Sequence, residues 1–385
     1  MRKIAAFQLA ALLVCGTSFS ETPKIGFIAT LSGPRASIGR DALDAARLAL
    51  RDLTEQSSKP PLELVVEDSA GVPRQGIDSY KKLLAQGIKF VITQNSNISI
   101  PISYLVNRDG VLQLAHATTA DSYSREHDLT FRINGGTVHE AKTMAHELVL
   151  RGKKSAGGLA VLSMEDEYPR NLADNLLSEL KRLGSFPAVS ETFSPGTSDF
   201  RALIARLKGL GIRHIALLSY QTEAGLFVKQ QAELGLNAAT IISDVPVNNK
   251  EFFESASNYA DGTLVTYIKL DESHPAVARY QAEYGRPVNL FAANGYDALM
   301  IANLALEMCG RRTDPDCLRA SFPKIRDYKG LGGTKSFDER YGDMQDDYEI
   351  LVARDGRFIK QDLLSNTSVE KRPLVDEVYS NLRGQ

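Results

Sequence analysis

Hydroxyl, amide and acidic side chains follow several predicted strands of this chain, at the points where the strands end. The segment 90–119 reads FVITQNSNISIPISYLVNRDGVLQLAHATT, with a buried strand at 90–93 and another at 111–115. Ligands bind at the carboxyl ends of the strands in an open parallel sheet. We therefore expect an exposed pocket rim whose donors, with free backbone N–H groups, hold a small anionic or zwitterionic group. The expected rim residues are Ser96, Asn97, Thr118 and Thr119.

Three further residues, in the part of the chain predicted to form a second lobe, also follow strands. Tyr168, Tyr220 and Asp244 follow predicted strands at 158–163, 214–219 and 240–243. A zwitterion needs donors for its carboxylate and an acceptor for its ammonium, and Asp244 would supply the acceptor. A charge-assisted hydrogen bond of this kind contributes about 1.5–3 kcal/mol. Turn capping or strand-end packing would explain each residue alone, but their shared location favours one ligand site.

Motifs of catalytic chemistry are missing from the sequence. It has no GxSxG nucleophile elbow and no phosphate-binding P-loop. His139-Glu140 and His146-Glu147 resemble pieces of a zinc-protease helix, but neither continues to a second His at the i+4 position. We predict solvated helix residues there, and a solvated loop at 165–167. The sequence therefore predicts no catalytic residue, no metal and no cofactor.

Alternating strands and helices must position these side chains. A strand at 24–29, an amphipathic helix from Arg40, a strand at 62–66 and a helix at 75–85 lead into the strand at 90–93. This βαβαβα order predicts a parallel sheet. The pattern begins again after Arg132, and a chain of 385 residues is too long for one ordinary core. We therefore predict an α/β fold with two lobes.

Bulk composition excludes one class of partner. The hydrophobic content of 43% and the charged content of 24% are typical of a soluble globular protein. The net charge is −2 and no run of Lys and Arg occurs, whereas a protein that binds a phosphate backbone carries a basic surplus. We do not expect a nucleic-acid partner.

The N-terminus has the pattern of a secretory signal. Arg2 and Lys3 precede an apolar stretch at 4–14, and Ser18-Phe19-Ser20 is a small-x-small cleavage site. Eleven residues are too few to span a bilayer, which needs about 20. We predict cleavage after Ser20 and export to the periplasm, with a lipoprotein attached through Cys15 as the alternative.

Two cysteines remain once the signal is removed. Cys309 and Cys317 flank the polar loop GRRTDPD. In an oxidising compartment this spacing predicts a disulfide, and two free thiols are the alternative.

Several stretches resemble type I periplasmic solute-binding proteins of the branched-chain amino acid class. They are GFIATLSGPRASIGRDALDAARLA, SPGTSDFRALIARLK, FVKQQAELGL, NGYDALMIANLALE and GLGGTKSFDERYGD, and they occur in the family's order. The resemblance implies two Rossmann-like lobes with parallel sheets, joined by a three-strand hinge, with a ligand held between them. It implies these boundaries: signal peptide 1–20, lobe 1 at 24–136 plus 268–345, lobe 2 at 137–267 plus 346–364, and a tail at 365–385.

The resemblance also implies roles for site residues. The family's carboxylate-binding serine falls on Ser96, with Asn97 as the alternative, and its alanine–threonine pair falls on Thr118-Thr119. The acid that holds the ligand's amino group falls on Asp244. The family's tyrosines fall on Tyr168, which precedes Pro169 here instead of a glycine, and on Tyr220. Ile38 replaces a frequent aromatic residue, and an asparagine-rich turn replaces a serine-rich one.

The function implied is that of an exported substrate-binding protein of an ABC importer. It would capture a small polar ligand, an amino acid or a related compound, and deliver it as a monomer to a membrane permease. Two alternatives stay open: a ligand-sensing receptor module of the same fold, and an exported hydrolase.

Overall fold

The computed structural model describes residues 22–57, 61–123, 125–126, 128–154, 156–244, 250–338, 342–344 and 347–360. The predicted signal segment, with Cys15 and Ser20, and the predicted tail lie outside these residues. Helices and strands alternate through most of the described chain, as the sequence pattern predicts.

Fourteen strands are assigned within the described residues: β1 Lys24–Ala29, β2 Glu63–Asp68, β3 Phe90–Gln94, β4 Leu112–His116, β5 Thr130–Arg132, β6 Gly158–Met164, β7 Val189–Phe193, β8 Ile212–Leu218, β9 Ala239–Ile242, β10 Leu264–Ile268, β11 Tyr328–Gly330, β12 Gly333–Lys335, β13 Tyr348–Arg354 and β14 Arg357–Lys360.

Eleven α-helices are assigned in the same part of the chain: α1 Ala36–Glu55, α2 Pro73–Ala85, α3 Ser96–Asp109, α4 Thr137–Lys154, α5 Glu167–Arg182, α6 Arg201–Gly209, α7 Gln221–Glu233, α8 Lys250–Ala256, α9 Pro275–Tyr284, α10 Leu290–Met308 and α11 Pro315–Ser321. Most bounds agree with the sequence prediction to within a few residues. The sequence pattern did not reveal β5, α8, α11 or the β11–β12 hairpin.

Two large sheets make up the two lobes. The first has the order β2-β1-β3-β4-β5, and all its strands are parallel. The second has the order β14-β13-β10-β9-β8-β6-β7. Its strands from β7 to β10 are parallel, whereas β13 pairs antiparallel with β10 and β14 antiparallel with β13. The predicted α/β class with two Rossmann-like lobes is confirmed, and the second sheet has an antiparallel edge.

The chain passes between the two sheets at three places. The first passage joins β5 to α4, the second leaves β10 toward α9, and the third enters β13 from Asp343, which forms a single bridge with Arg132. Helices α9 and α10 return to the first sheet, where both pack on α1. The carboxyl ends of the parallel strands of both sheets thus face a common gap.

Close packing of small residues joins α1 to α10. A Cβ added at Gly295 would lie 2.1 Å from the carbonyl oxygen of Ala42, so only glycine fits at this crossing. Both helices bury alanines along the contact, and the resemblance motif NGYDALMIANLALE forms the α10 side. This motif therefore serves packing.

The buried carboxylate of Asp297 binds the stretch GLGGTKSFDERYGD, a second segment that carries the family resemblance. The Asp297 side chain accepts hydrogen bonds from the backbone N–H groups of Leu331 and Gly332, each at 2.9 Å, and from the Tyr328 hydroxyl at 3.1 Å. The Lys335 ammonium donates to the Ile133 carbonyl at 3.0 Å. The GLGGTKSF stretch thus fastens the β11–β12 hairpin to α10.

The predicted disulfide between Cys309 and Cys317 is present. It links the C-terminal end of α10 to α11, where Asp314 caps the helix by accepting from the Cys317 N–H at 2.8 Å. Among the described helices, none has both the length and the apolar character needed to cross a bilayer.

Candidate functional site

A small cavity lies where the carboxyl ends of the two sheets meet. Its internal volume is about 20 Å³, enough for one water molecule. The lining comes from both lobes and from the passages between them: Asn95, Ser96, Ala117, Thr119, Asn134, Tyr168, Tyr220, Asp244, Ile268, Leu290, Phe291 and Tyr348. Five of the seven predicted site residues are therefore brought together.

Ser96 is the first residue of α3, and its hydroxyl is held so that its O–H can donate a hydrogen bond to a ligand. Its Oγ accepts hydrogen bonds from the backbone N–H groups of Thr119 at 3.2 Å and Ala120 at 3.3 Å. No hydrogen bond recorded among the described residues uses the Ser96 hydroxyl proton. The start of α3 also presents the positive end of the helix dipole. Ser96 and Thr119 therefore form a donor-rich wall that suits a carboxylate.

Unusual backbone conformations accompany this wall. Asn95 has φ 67° and ψ 143°, and Ala117 has φ 49°, although neither is glycine. Both residues line the cavity. Backbone strain of this kind costs about 1–3 kcal/mol per residue and clusters at ligand-binding sites. No pattern in the sequence indicated this strain.

Buried Arg132 fixes the loop that follows β4. Its Nη1 donates to the carbonyls of Thr118 at 3.2 Å and Ala120 at 3.0 Å, and its Nη2 pairs with Asp343 at 2.6 Å. The guanidinium fixes these two carbonyls and therefore the backbone of the loop. In this conformation the N–H groups of Thr119 and Ala120 point to Ser96 Oγ and donate to it. Arg132 thereby orders the donor wall without lining the cavity.

Two predicted site residues do not line the cavity. The Asn97 side chain donates to the Gly71 carbonyl at 3.1 Å. The Thr118 hydroxyl bonds Ser99 Oγ at 2.9 Å and the His116 carbonyl at 3.2 Å. Both side chains turn into lobe 1, which leaves Ser96 as the serine at the cavity. The site roles suggested for Asn97 and Thr118 are not supported by their placement.

The prediction that these rim residues are exposed was wrong. Ser96, Thr118 and Thr119 have exposed fractions of 2%, 0% and 7%, and Asn97 is only half-buried. Their own lobe satisfies part of their hydrogen bonding, and the second lobe lies across the gap. Their position at strand ends correctly placed Ser96 and Thr119 at the cavity. It could not predict how closely the two lobes approach each other and bury these side chains.

Asp244 and the Tyr168 hydroxyl form the opposite wall, and the carboxyl group of Glu140 is buried against them outside the lining. The Tyr168 hydroxyl lies 2.8 Å from Glu140 Oε2 and 2.9 Å from Asp244 Oδ1. Glu140 Oε1 accepts from the Asp244 N–H at 3.0 Å and from the Thr266 hydroxyl at 2.7 Å. Tyr348 lies farther away, with its hydroxyl 3.4 Å from Asp244 Oδ2. The wall is acidic, which suits a cationic group.

Glu140 corrects a prediction. It was expected to be a solvated helix residue, but its exposed fraction is 0%. A signal existed in the sequence, because residues 140, 144 and 148 share one face of α4, and Met144 and Leu148 on that face are buried core residues.

Burial shifts the titration of this acidic wall. Burial, reinforced by the neighbouring Asp244, raises the pKa of Glu140 well above its ordinary value. Burial, together with the carboxyls of Asp244 and Glu140, also raises the pKa of Tyr168 well above its ordinary value. The phenol is therefore neutral and holds a proton that it can donate.

Tyr168 is held by the first turn of α5, which tolerates the proline that follows it. Asp166 caps this helix by accepting from the Glu167 N–H at 2.7 Å. Pro169 stands third in the helix, where its missing N–H would have had no partner inside the helix. The proline that follows Tyr168 is thus compatible with the place of Tyr168 at the cavity.

Tyr220 brings the lobes into contact. It precedes α7, and the guanidinium carbon of Arg35 in the loop before α1 lies 4.2 Å from its ring centre. Arg35 also pairs with Asp166 at 3.2 Å. A second contact joins the loop after β4 to α5, where the Ser122 hydroxyl donates to Glu167 at 2.8 Å. The lobes are closed in this structure.

Seven residues of the lining were not predicted: Asn95, Ala117, Asn134, Ile268, Leu290, Phe291 and Tyr348. Asn95 and Ala117 directly follow β3 and β4, Leu290 and Phe291 begin α10, and the other three lie at the passages between the sheets. Asn134 follows β5, a strand of three residues that is too short to show a period. The described residues contain no group of three His, Cys, Asp or Glu side chains that could hold a metal ion.

A model of one protein family, described as periplasmic binding protein, matches residues 22–357. The chain belongs to the periplasmic binding protein family. Together with the relatives and solved structures described next, this match confirms the resemblance to type I proteins of the branched-chain amino acid class, and the members of this family bind small molecules.

Two relatives illustrate the similarity in sequence. A Leu/Ile/Val-binding protein, BraC3, of Rhizobium johnstonii is 27% identical over 341 residues, which are 86% of this chain and 92% of the relative. A Leu/Ile/Val-binding protein homolog of Brucella abortus is 32% identical over 266 residues, 67% of this chain and 70% of the relative.

Solved structures support the fold. The branched-chain amino acid transporter substrate-binding protein LivJ of Streptococcus pneumoniae, in complex with isoleucine, has a TM-score of 0.77 at 22% identity, covering 88% of this chain and 98% of that one. A solute-binding protein of an ABC transporter from R. palustris, in complex with benzoate, has a TM-score of 0.79 at 14% identity, covering 89% and 96%. At these identities the likeness concerns the fold alone.

Proposed function

We propose that this chain is the exported substrate-binding protein of an ABC importer and captures an α-amino acid with an apolar side chain between two closing lobes. In this proposal the signal segment is removed near Ser20, the mature protein works as a monomer in the periplasm, and the closed form delivers its ligand to a membrane permease. The lobes are the segments 24–136 plus 268–345 and 137–267 plus 346–364, and the three passages between them are the hinge.

The observation that carries the proposal is the opposite chemistry of the two cavity walls. Ser96 at the start of α3 and Thr119 in the loop after β4 offer hydroxyl donors, whereas Asp244, backed by Tyr168, offers a carboxylate acceptor. A zwitterion presents its carboxylate to the first wall and its ammonium to the second. A ligand with a carboxylate alone, such as benzoate, would meet an uncompensated acid at Asp244, and this disfavours it.

The rest of the lining favours an apolar side chain. Ile268, Leu290 and Phe291 contribute hydrocarbon surface between the two polar walls. The present volume of about 20 Å³ is too small for an amino acid, so the lobes must move apart to admit one. Ligand contacts to both walls then favour reclosure, to the extent that the ligand binds the closed form better.

A thermal-shift screen tests the proposal, with standard amino acids and with benzoate as the aromatic acid. Ligand at 100 times its dissociation constant stabilises the folded protein by about 2.7 kcal/mol. We expect apolar amino acids to raise the melting temperature and benzoate to leave it unchanged. A shift with benzoate and none with any amino acid would contradict the proposal.

A further inference from the structure

One hydroxyl proton serves two buried carboxyl groups at the acidic wall. Tyr168 Oη lies 2.8 Å from Glu140 Oε2 and 2.9 Å from Asp244 Oδ1, both within hydrogen-bonding distance. The hydroxyl can donate to only one of them, because it carries one proton. The other contact is then a hydrogen bond only if the second carboxyl supplies its own proton.

The other partners of Glu140 show which of its two oxygens can carry a proton. Oε1 of Glu140 already accepts from the Asp244 N–H and the Thr266 hydroxyl, so the proton belongs on Oε2, which faces Tyr168. Protonated Oε2 donates to Tyr168 Oη, and Tyr168 donates in turn to Asp244 Oδ1. Every contact then has one donor and one acceptor.

The surrounding elements provide no positive charge for Glu140. Among the described residues, the titratable groups recorded beside Glu140 and Asp244 are Tyr168 on α5, Tyr267 on β10 and Tyr348 on β13. No Lys, Arg or His pairs with Glu140 in the part of the chain that the structure describes. Two carboxylates this close and this deeply buried cannot both stay ionised at low cost.

We propose that Glu140 is a positioning residue that keeps its proton at neutral pH and, through the Tyr168 hydroxyl, orients Asp244 as a carboxylate carrying a single negative charge toward the ligand. The proposal deepens the proposed function and rests on it for the ligand. The site then matches one ammonium group, and its charge does not change when that group binds. Burial of Glu140 raises its pKa, in agreement with this arrangement.

The proton itself is measurable without any ligand. A protonated carboxylic acid has a carbonyl stretch that is separate from the carboxylate bands in the infrared spectrum. We expect this band in the unliganded protein near pH 7, and we expect Glu140→Gln to remove it. Absence of the band from the wild-type protein, or its persistence in Glu140→Gln, would overturn the proposal. This result does not depend on which ligand binds.

Ligand affinities of two variants distinguish a hydrogen-bond donor at position 140 from a side chain that only fills the space. In Glu140→Gln the new amide would donate to Tyr168 and accept from the Asp244 N–H, so this variant should bind L-leucine or L-phenylalanine within about threefold of the wild type. Glu140→Leu, which is apolar and of similar size, should bind at least about tenfold more weakly. Equal losses in both folded variants would show that the ionised form is needed and would overturn the proposal.

Calorimetry in buffers of different ionisation enthalpy completes the test. The proposal predicts no net proton uptake or release when L-leucine or L-phenylalanine binds near pH 7. Release of about one proton per ligand would mean that Glu140 ionises on binding and would overturn it. If neither amino acid binds the wild type, the proposed function fails, and the infrared band still decides the proposal about Glu140.

Discussion

At the scale of single residues, one buried histidine of lobe 1 has an unusual environment. Neither ring nitrogen of His116 has a hydrogen-bond partner among the described residues, and the ring lies against Phe27 with its centre 5.6 Å away. Burial lowers the pKa of His116 to about 3, against an ordinary value of 6.5. The folded protein therefore tolerates only the neutral imidazole at this position.

This residue predicts an acid-dependent loss of stability. Between pH 6.5 and about 3, His116 is protonated in the unfolded chain but neutral in the folded protein. The free energy of unfolding is therefore unaffected by His116 above pH 6.5 and decreases as the pH is lowered below it. At about pH 5 the loss is about 2 kcal/mol. His116→Phe should remove this part of the pH dependence in denaturant unfolding between pH 7 and about 5. An unchanged slope would contradict the assignment.

Sequence could locate many site residues but could not orient them. Ser96, Thr119 and Asp244 follow strands, and parallel strands end at one edge, so their common location was predictable. The inward turn of Asn97 and Thr118 depends on partners that are distant in sequence, Gly71 and Ser99 among them. The buried face of α4 that carries Glu140 could be read from Met144 and Leu148, but no local pattern places its partners Asp244 and Thr266 beside it.

At the scale of elements, most of the fold follows from local pattern. The strands of the first sheet read as short apolar runs, and α1 shows the spacing of an amphipathic helix. Local pattern did not predict the strand order of the second sheet or the antiparallel pairing of β13 and β14. These features arise because the chain leaves the second lobe after β10, passes through the first lobe and returns at β13. Three-residue strands such as β5 are too short to carry a period.

The disulfide between Cys309 and Cys317 stabilises the joint between α10 and α11. A loop with a sequence separation of 8 contributes about 2.5 kcal/mol in the chain-entropy model. The double variant Cys309→Ala/Cys317→Ala should melt several degrees lower. Ligand affinity should not change, since no residue from 309 to 321 lines the cavity. Loss of affinity in a variant that is still folded would show that this joint acts on the site.

At the scale of the whole molecule, contacts between the lobes set how long the closed form persists. Arg35 in lobe 1 spans the gap to Tyr220 and Asp166 in lobe 2. This pairing is partly buried, and a cation–π contact of this kind contributes about 1 kcal/mol. We therefore expect Arg35, which lies outside the cavity lining, to stabilise the closed form.

Removal of the Arg35 contacts to Tyr220 and Asp166 should increase the rate of ligand dissociation. We expect Arg35→Ala to bind an amino acid about fivefold more weakly, with most of the change in the dissociation rate. Arg47→Ala is the matched control, because the recorded ion pair of Arg47 lies within α1, with Asp44, and its side chain is exposed. Stopped-flow measurement of the dissociation rate distinguishes them. Equal rates in the two variants would show that Arg35 does not hold the lobes together.

We expect Asp244 to receive the ammonium of the ligand while lobe 1 holds its carboxylate. Calorimetric titration of L-leucine and of isocaproate, which lacks only the amino group, into the wild type and Asp244→Asn measures this pairing. The wild type should prefer L-leucine by at least about tenfold, about 1.4 kcal/mol, and the variant should lose most of that preference. Equal binding of both compounds by the wild type, or an undiminished preference in Asp244→Asn, would contradict this expectation.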